Sequence, residues 1–394
     1  MLKERMMNHQ LPKGWQAKPL VQLCTLFTDG DWIESKDQSL DGIRLIQTGN
    51  VGCGEFKDRR DKARWISQET FEKLKCEEVF PDDCLISRLP DPVGRSCLIP
   101  ETGDKMITSV DCSIIRLNRS FIIADFFNYY TQSAKYLEEV ESKCSGATRK
   151  RISRKNLGEV EILLPPLLEQ KRIVAILDEA FANISQAVAN AEKNLANARE
   201  LFDSYLESIA DHAKPLGTFV DIKTGKLDAN AAIVDGKYPF FTCSREIYQI
   251  DDYAFDCEAI LLAGNNASGD FNVKHFKGKF NAYQRTYVIT IKDEDSLLYR
   301  FLYYQMIKSL KELKENSVGA GTKFLKLGMI KDLKISIPHI SVQKNTLDVL
   351  EELSGNLSDL EDVYRRKLAA LAELKQALLQ KAFTGELTAA DQPT

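Results

Sequence analysis

Two long segments of the chain carry apolar residues at steps of three and four. The first runs from Leu167 to about Asp211 without Pro or Gly, and the second runs from His339 to Phe383. Such steps place apolar side chains on one face of a helix, which is typical of a coiled-coil seam. A further seam position is expected at Leu374. The positions expected to pack between the helices are Leu177, Ile184, Leu195, Phe202, Leu350, Leu357, Leu368 and Leu378.

Both seams contain the same irregularity, one doubled step of four. It falls at Ala187–Ala191–Leu195 in the first segment and at Leu360–Tyr364–Leu368 in the second. A single helix with a narrow apolar stripe needs a partner. We therefore expect two antiparallel coiled-coil helices related by a pseudo-twofold axis. The alternative is two unrelated surface helices, each packed on its own domain.

The helical segments belong to a larger internal repeat. Lys18-Pro19-Leu20 recurs as Lys214-Pro215-Leu216, and Phe127-Asn128-Tyr129-Tyr130 recurs as Phe301-Leu302-Tyr303-Tyr304. Between these two motifs the first copy is 22 residues longer than the second. Two copies that share their flanking motifs but differ between them suggest one scaffold carrying two specificities. The alternative is a plain gene duplication followed by sequence drift. The copies then align without a gap through pairs such as Ile162/Ile335, Gln170/Gln343, Leu177/Leu350 and Leu201/Leu374.

The repeat divides the chain into globular and helical parts. We expect a globular domain at residues 1–166, a long helix at 167–213, a second globular domain at 214–338, and a second long helix with a frayed tail at 339–394. Short β-type runs and turns mixed with helices predict an α+β fold for the globular parts. The predicted elements are strands at Ile43–Gln47, Cys84–Arg88, Ser96–Ile99, Cys112–Leu117, Ala259–Ala263, His275–Phe280 and Arg285–Ile291, and helices at Phe121–Val140 and Ser296–Asn316.

The composition is that of an ordinary cytoplasmic protein. No apolar run approaches the ~18 residues of a membrane helix, and Met1 to Gln10 are too polar for a secretory signal. The nine cysteines are scattered without a Cys-x-x-Cys pair, which suits a reducing compartment. The net charge of −4 is unfavourable for a chain that holds DNA alone. Either the chain does not bind DNA, or basic residues cluster locally and a partner supplies more charge.

One basic stretch occurs in both copies. Residues 143–155 contain six basic residues and no acid, and residues 319–323 repeat their Gly-rich character. Flexible loops with basic and hydroxyl side chains suit contact with phosphates, and a solvated surface loop is the alternative. The candidate DNA-binding residues here are Thr148, Arg149, Lys150, Arg151, Thr322 and Lys323.

A second stretch combines amides with basic residues. Asn and Gln can bond adenine, and Arg or Lys can bond guanine. The interleaved aromatic residues Phe271, Phe276, Phe280, Tyr283 and Tyr287 are expected to form a supporting core, and an ordinary Asn/Gly-rich β-turn is the alternative. The candidates are Asn265, Asn266, Ser268, Asn272, Lys274, Gln284 and Arg285.

The third stretch has a lower density of positive charge, because acidic residues are interspersed among its basic residues. A structural surface hairpin is the alternative to DNA binding. Its candidates are Thr48, Asn50, Lys57, Arg59 and Arg60, joined by Arg88 and Arg95 around the turn at residues 91–94.

Motifs for catalysis are not found in the sequence. Gly225-Lys226 lacks the remainder of a phosphate-binding loop, and Asp91-Pro92 continues as Val93-Gly94, unlike the tetrapeptide of amino-methyltransferases. The four histidines do not lie at metal-ligand spacing. We predict neither catalytic nor metal-binding residues in this chain.

Three motifs carry a family resemblance. The chain opens with Leu11-Pro12-x-Gly14-Trp15, and Ser145-Gly146-Ala147-Thr148-Arg149-Lys150-Arg151-Ile152 leads to Leu164-Pro165-Pro166-Leu167-x-Glu169-Gln170 before the long helix. This plan resembles the specificity (S) subunit of type I restriction–modification enzymes over nearly the whole chain. The second copy departs from the helix junction, since it keeps only Pro338 and Gln343.

The resemblance implies a non-catalytic, DNA-binding subunit without a cofactor of its own. Each globular segment would be a target-recognition domain reading one half of a bipartite site in double-stranded DNA, and the helices would set the spacer. Two methylase (M) subunits would supply adenine methylation with S-adenosylmethionine, and restriction (R) subunits would use ATP and Mg²⁺. The alternatives are a coiled-coil scaffold protein and a self-sufficient DNA methyltransferase with an unrecognised site.

Overall fold

The chain forms two compact units of mixed α/β structure. A computed structural model describes residues 11–146, 149–208 and 213–388. The first unit combines residues 1–189 with 367–394, and the second comprises residues 190–366. The predicted linear boundaries follow the starts of the long helices, whereas the compact units divide within these helices. Each unit therefore holds one globular segment and parts of both long helices.

The first unit is built on three described sheets. Their strand orders are β2-β9-β6-β7, β3-β5-β4-β8 and β1-β10, and the pairing is antiparallel except between β4 and β8. The strands are β1 (Gln16–Pro19), β2 (Cys24–Asp29), β3 (Gln38–Ser39), β4 (Ile43–Ile46), β5 (Arg64–Ile66), β6 (Cys84–Ser87), β7 (Ser96–Leu98), β8 (Met106–Thr108), β9 (Cys112–Leu117) and β10 (Glu161–Leu164).

Among the described residues, five α-helices contribute to the first unit before the C-terminal segment. They are α1 (Gln68–Leu74), α2 (Ala124–Tyr130), α3 (Ala134–Ser142), α4 (Arg154–Gly158) and the beginning of α5 (Leu167–Ser208). The predicted single helix Phe121–Val140 is wrong, because α2 and α3 are separate. The Ser133 side chain accepts a hydrogen bond from Tyr136 N at 3.3 Å and caps the start of α3.

The last helix completes the core of the first unit. Phe383 is 3% exposed, and its ring lies 5.5 Å from that of Phe126 and 5.0 Å from that of Tyr130. Beyond the helix, Thr388 is 1% exposed and its hydroxyl is hydrogen-bonded to Glu169. The prediction of a frayed tail from residue 384 is therefore wrong as far as Thr388, and residues 389–394 lie outside the described part.

The second unit contains a six-stranded sheet with the order β12-β18-β15-β17-β13-β14, and described pairs β11-β20 and β16-β19. Its strands are β11 (Lys214–Pro215), β12 (Val220–Thr224), β13 (Tyr238–Phe241), β14 (Tyr248–Ile250), β15 (Phe255–Ala263), β16 (Asn265–Asn266), β17 (Val273–Ala282), β18 (Thr286–Ile291), β19 (Lys323–Phe324) and β20 (Lys334–Ile335). Its helices are α6 (Tyr299–Lys308), α7 (Leu310–Asn316), α8 (Leu327–Asp332) and part of α9 (Ile340–Thr384). The single helix predicted at Ser296–Asn316 is wrong, since α7 starts anew after Ser309.

The two long helices pair in opposite directions within each unit, so the prediction of antiparallel helices is confirmed. In the second unit, Arg199 Nη2 lies 2.6 Å from Glu361 Oε1, and Phe202 and Leu206 pack with Leu350. In the first unit, the ammonium of Lys375 lies 4.9 Å from the centre of the Phe181 ring.

The seam positions differ in burial. Leu177, Phe202 and Leu350 are buried, whereas five others are only partly buried: Ile184, Leu195, Leu357, Leu368 and Leu378. The predicted seam position Leu374 is wrong, because its side chain is 47% exposed and the neighbouring Lys375 lies on the packed face. None of the described helices carries an apolar stretch of the length needed to cross a membrane.

Candidate nucleic-acid interface

The two units build the same backbone frame at the end of a central strand. In the first unit, Arg88 N, just after β6, donates to Asp111 O at 2.9 Å. In the second unit, Gly264 N, just after β15, donates to Arg285 O at 2.9 Å. Asp111 and Arg285 therefore occupy equivalent positions in the two units.

The basic loops are attached to this frame in the same way. Ile152 N donates to Arg88 O at 3.3 Å, and Leu325 N donates to Gly264 O at 2.9 Å. The residues just before them, Arg151 and Phe324, are thus also equivalent. Each closes its loop by an antiparallel bridge, Arg151 with Ser145 and Phe324 with Val318.

Both loops turn at a glycine with a left-handed backbone. Gly146 has a φ of +101° and Gly319 has a φ of +117°. A Cβ atom at either position would collide with the backbone carbonyl of Arg149 or Thr322, respectively. Glycine is therefore required for the turn at both places. The candidate Thr148 lies outside the described residues.

Arg95 and Asn272 occupy equivalent positions in the two units, and the side chain of each hydrogen-bonds to a neighbouring loop. Arg95 O accepts from Ser87 N, and Asn272 O accepts from Ala263 N, both at 2.9 Å. The Arg95 guanidinium donates to backbone carbonyls at 2.7–3.0 Å, those of Val51, Leu89, Pro92 and Thr48.

The Asn272 amide donates to Cys243 O at 2.9 Å. Arg95 is 9% exposed and Asn272 is 8% exposed. Both side chains are predicted to contact DNA, whereas their donors are used inside the protein, which favours a role in positioning loops.

Two further candidates are also buried. Arg88 is 5% exposed, pairs with Asp29 at 3.4 Å and donates to Val110 O. Burial lowers the pKa of this guanidinium. Asn50 is 8% exposed, and its amide bridges Lys57 O and Gln47 N at 2.9 and 3.0 Å. Their burial and these contacts favour structural roles for Arg88 and Asn50 over the predicted DNA contacts.

Most of the exposed basic candidate residues of the first unit form ion pairs with acidic side chains. Arg60 binds Asp104 at 2.7 Å, Lys57 lies 3.8 Å from Glu55, Arg151 lies 3.0 Å from Asp111, and Lys150 pairs with Glu141. Arg59 and Arg149 are exposed, and no ion pair to either is found within residues 11–146, 149–208 and 213–388. Thr48 is half-buried, with its carbonyl held by Arg95.

In the second unit, the amide stretch and the basic loop lie side by side. Strand β16 pairs with β19, which places Asn265 opposite Phe324 and Asn266 opposite Lys323. Thr322 and Lys323 are half-buried. The structure therefore brings two separately predicted stretches into one surface.

Several polar side chains of this surface bond within the protein. Asn266 Oδ1 accepts from Ser268 N and Oγ, both at 2.9 Å. Lys274 Nζ donates to Ser244 O at 2.6 Å, and burial lowers the pKa of this ammonium. Gln284 Nε2 donates to Asp228 Oδ1 at 2.5 Å.

Two features of the surfaces were missed from the sequence. Arg44, itself 1% exposed, links the partly exposed carboxylates of Asp58 and Asp104, which nothing in the local pattern indicated. Asp111 was missed although a signal existed, because the offset of 174 that relates Phe127 to Phe301 also relates Asp111 to Arg285. In the described part of the chain no group of His, Cys, Asp and Glu is arranged to hold a metal ion.

Comparison with protein families identifies the fold. The family model for the type I restriction modification DNA specificity domain matches residues 12–193 and 213–368. The chain belongs to this family. The two matches coincide with the two copies of the internal repeat, as the resemblance of the motifs predicted.

Curated relatives are specificity subunits. The chain is 41% identical over 176 residues to the EcoDI specificity subunit of Escherichia coli, a match covering 44% of this chain and 38% of that protein. This match thus spans well under half of that relative. The chain is 22% identical to the StySPI specificity subunit of Salmonella potsdam, and here the match covers 96% of this chain and 90% of the relative.

Solved structures share the fold of the specificity family. A chain from a study of complex assembly and conformational transition in a type I R-M system matches with a TM-score of 0.74 and 18% identity, covering 96% of this chain and 100% of that one. The HsdS subunit of Thermoanaerobacter tengcongensis matches with a TM-score of 0.52 and 19% identity, covering 97% and 99%.

Proposed function

We propose that this chain is the DNA-reading subunit of a type I restriction–modification complex, with each unit reading one half of a bipartite target in double-stranded DNA. The observation that carries the proposal is the pair of equivalent frames. The backbone bonds at Arg88–Asp111 recur at Gly264–Arg285, while the side chains differ. One frame with two different surfaces suits a protein that reads two different half-sites.

We further propose that two methylase subunits bind the long helices. Leu201 and Leu374 are equivalent in the repeat and are 61% and 47% exposed. An equivalent apolar residue on each helix fits two copies of one partner. The methylases would carry S-adenosylmethionine, and restriction subunits would carry ATP and Mg²⁺. Positive charge on the partner subunits would also offset the net charge of −4 of this chain when the complex binds DNA in the cytoplasm.

The experiment is co-expression of this chain with its methylase, followed by mapping of methylated adenines in the host DNA. We expect methylation at a single bipartite motif, and methylation without sequence preference would contradict the proposal. The purified chain is also incubated with DNA and S-adenosylmethionine. Methyl transfer by the chain alone would instead identify it as a self-sufficient methyltransferase.

A charge-reversal variant separates DNA reading from a purely structural role. Arg149→Glu combined with Lys150→Glu and Arg151→Glu reverses the basic loop of the first unit. We expect weaker, less salt-sensitive DNA binding by the complex with the methylase. Unchanged binding and an unchanged motif would favour a scaffold that does not touch DNA.

The helices are proposed to set the unread spacer of the target. The helix Leu167–Ser208 has 42 residues, which corresponds to a rise of about 63 Å. Inserting one heptad into each long helix is expected to change the spacer length in the methylated motif and to leave both half-sites unchanged. Altered half-sites with an unaltered spacer would contradict this role.

A further inference from the structure

We propose that Arg285 is a base-reading residue of the second unit and that Phe324 positions its guanidinium for contact with guanine. This inference rests on the proposed function and assigns a role within it. Arg285 lies between β17 and β18, at the point where the amide stretch and the basic loop meet. Its side chain is exposed, and the centre of its guanidinium lies 5.4 Å from the centre of the Phe324 ring.

The contact with Phe324 holds the guanidinium without using its donors. An aromatic face attracts the cation as a whole, and arginine has five N–H donors in a rigid fork. Among residues 11–146, 149–208 and 213–388, no carboxylate pairs with Arg285 and no acceptor binds its side chain. The donors therefore remain available to a partner outside the chain.

Neighbouring polar side chains are used differently. Arg245 pairs with Asp270 at 2.7 Å, Gln284 binds Asp228, and Asn266 closes a local turn. Each of these groups has an acceptor or donor within the protein, whereas Arg285 has a ring. Among these three neighbours and Arg285, Arg285 is the one whose donors are left without a partner in the described part of the chain.

The backbone of Arg285 is fixed by two other segments. Its carbonyl accepts from Gly264 N at 2.9 Å and from Cys243 Sγ at 3.5 Å. A Cβ atom at Gly264 would collide with this carbonyl, so the approach requires glycine. A side chain that reads nucleobases needs such a rigid backbone, because the side chain is then held in the binding geometry before DNA arrives.

The equivalent place in the first unit carries reversed chemistry. Asp111 replaces Arg285, Arg151 replaces Phe324, and the two form an ion pair at 3.0 Å. The backbone frame is the same in both units. The side-chain pair on it is a guanidinium and an aromatic ring in the second unit, and a carboxylate and a guanidinium in the first. A varied side chain on a constant frame is the pattern that two different half-sites require.

Guanine is the base that this geometry fits. Its O6 and N7 are adjacent acceptors in the major groove, and a guanidinium can donate to both at once. Loss of one such contact reduces discrimination at one base pair by roughly 5- to 150-fold. The effect should be confined to the half-site read by the second unit.

The test uses the complex with the methylase and maps methylated adenines for each variant. We expect Arg285→Ala to make one guanine position of one half-site degenerate and to leave the other half-site unchanged. Arg285→Lys keeps the charge but lacks the fork, so discrimination should fall partway. Arg245→Ala is the matched control: because the Arg245 guanidinium is paired with Asp270, we expect this variant to leave both half-sites unchanged.

Phe324 is tested as a positioning residue. Phe324→Tyr keeps the ring face and should keep the motif, whereas Phe324→Leu should relax the same base position as Arg285→Ala. The inference is overturned if the wild-type complex has a bipartite motif and both Arg285 variants retain its base preference. If the wild-type complex has no sequence preference, the proposed function fails and the inference fails with it.

Discussion

Gln170 and Gln343 are fully buried at equivalent places near the start of the two long helices and form the same three hydrogen bonds. Gln170 Oε1 accepts from Ile123 N at 2.9 Å, and its amide donates to Phe121 O and Pro165 O, also at 2.9 Å. Gln343 binds the corresponding backbone groups at 2.8–3.0 Å, those of Leu298, Ser296 and Pro338. Each glutamine thus ties a long helix to the globular segment before it.

Replacement of Gln170 by alanine should destabilise the first unit. The change leaves one N–H and two carbonyls without a partner, and each buried group left unpaired costs about 1–3 kcal/mol in the free energy of unfolding. Denaturant unfolding of the purified chain measures this loss. The control is Gln376→Ala at an exposed position of the other long helix, which should change the free energy by less than about 0.5 kcal/mol. Equal effects of the two variants would contradict the prediction.

Phe383→Ala should weaken the attachment of the C-terminal helix to the first unit. The lost ring contacts with Phe126 and Tyr130 correspond to about 3–5 kcal/mol. Thermal unfolding should show a lower Tm for the transition of the first unit. Leu374→Ala removes an exposed side chain of the same helix and should leave that Tm nearly unchanged. A loss with both variants would indicate general helix destabilisation instead.

Arg95→Met should cost more stability than Arg60→Met. Arg95 is buried and donates four hydrogen bonds to carbonyls, and a hydrogen bond involving a charged group contributes about 1.5–3 kcal/mol. Arg60 forms an exposed ion pair with Asp104, and solvent screening makes the contribution of such a pair to stability small. Chemical denaturation at matched ionic strength compares the two variants. A larger loss for Arg60→Met would refute the assigned role of Arg95.

The stability of the first unit should depend on pH through Asp31. Burial raises the pKa of this carboxyl to about 6, and Glu77 N donates to its Oδ2 at 3.1 Å. The folded state therefore binds the proton more tightly than the unfolded state, whose aspartate has a pKa of about 3.9. The stabilisation by protonation is complete below about pH 4 and is lost as the pH rises through 6.

Asp31→Asn isolates this contribution, because asparagine retains an oxygen acceptor and does not titrate. We expect wild type to gain stability relative to Asp31→Asn as the pH falls from 7 to 4.5, measured by urea unfolding at several pH values. A difference between the two proteins that is independent of pH would show that Asp31 does not titrate in this range.

The candidate surfaces were only partly accessible to sequence reasoning. The stretches around Asn265 and Lys323 were found as separate clusters, because amide and basic residues stand out in any sequence. Their pairing as β16 and β19 was not predicted, since two-residue strands carry too little pattern. The single helices predicted around α2–α3 and α6–α7 failed for a similar reason: a break of one to three residues hardly changes the apolar period.

The sequence by itself determined the repeat and the two long helices. Their seams recur in register, as in Leu177 and Leu350, because the period of a helix is a local property that side-chain order records directly. Only the tertiary structure decided which donors remain without a partner in the described part of the chain. Arg95 and Arg285 are both arginines that the sequence marks as DNA-binding candidates. Backbone carbonyls up to 47 residues away bind the Arg95 guanidinium, whereas the Arg285 guanidinium packs on the Phe324 ring at the surface. Burial and partners are set by segments distant in the chain, and composition or spacing does not encode them locally.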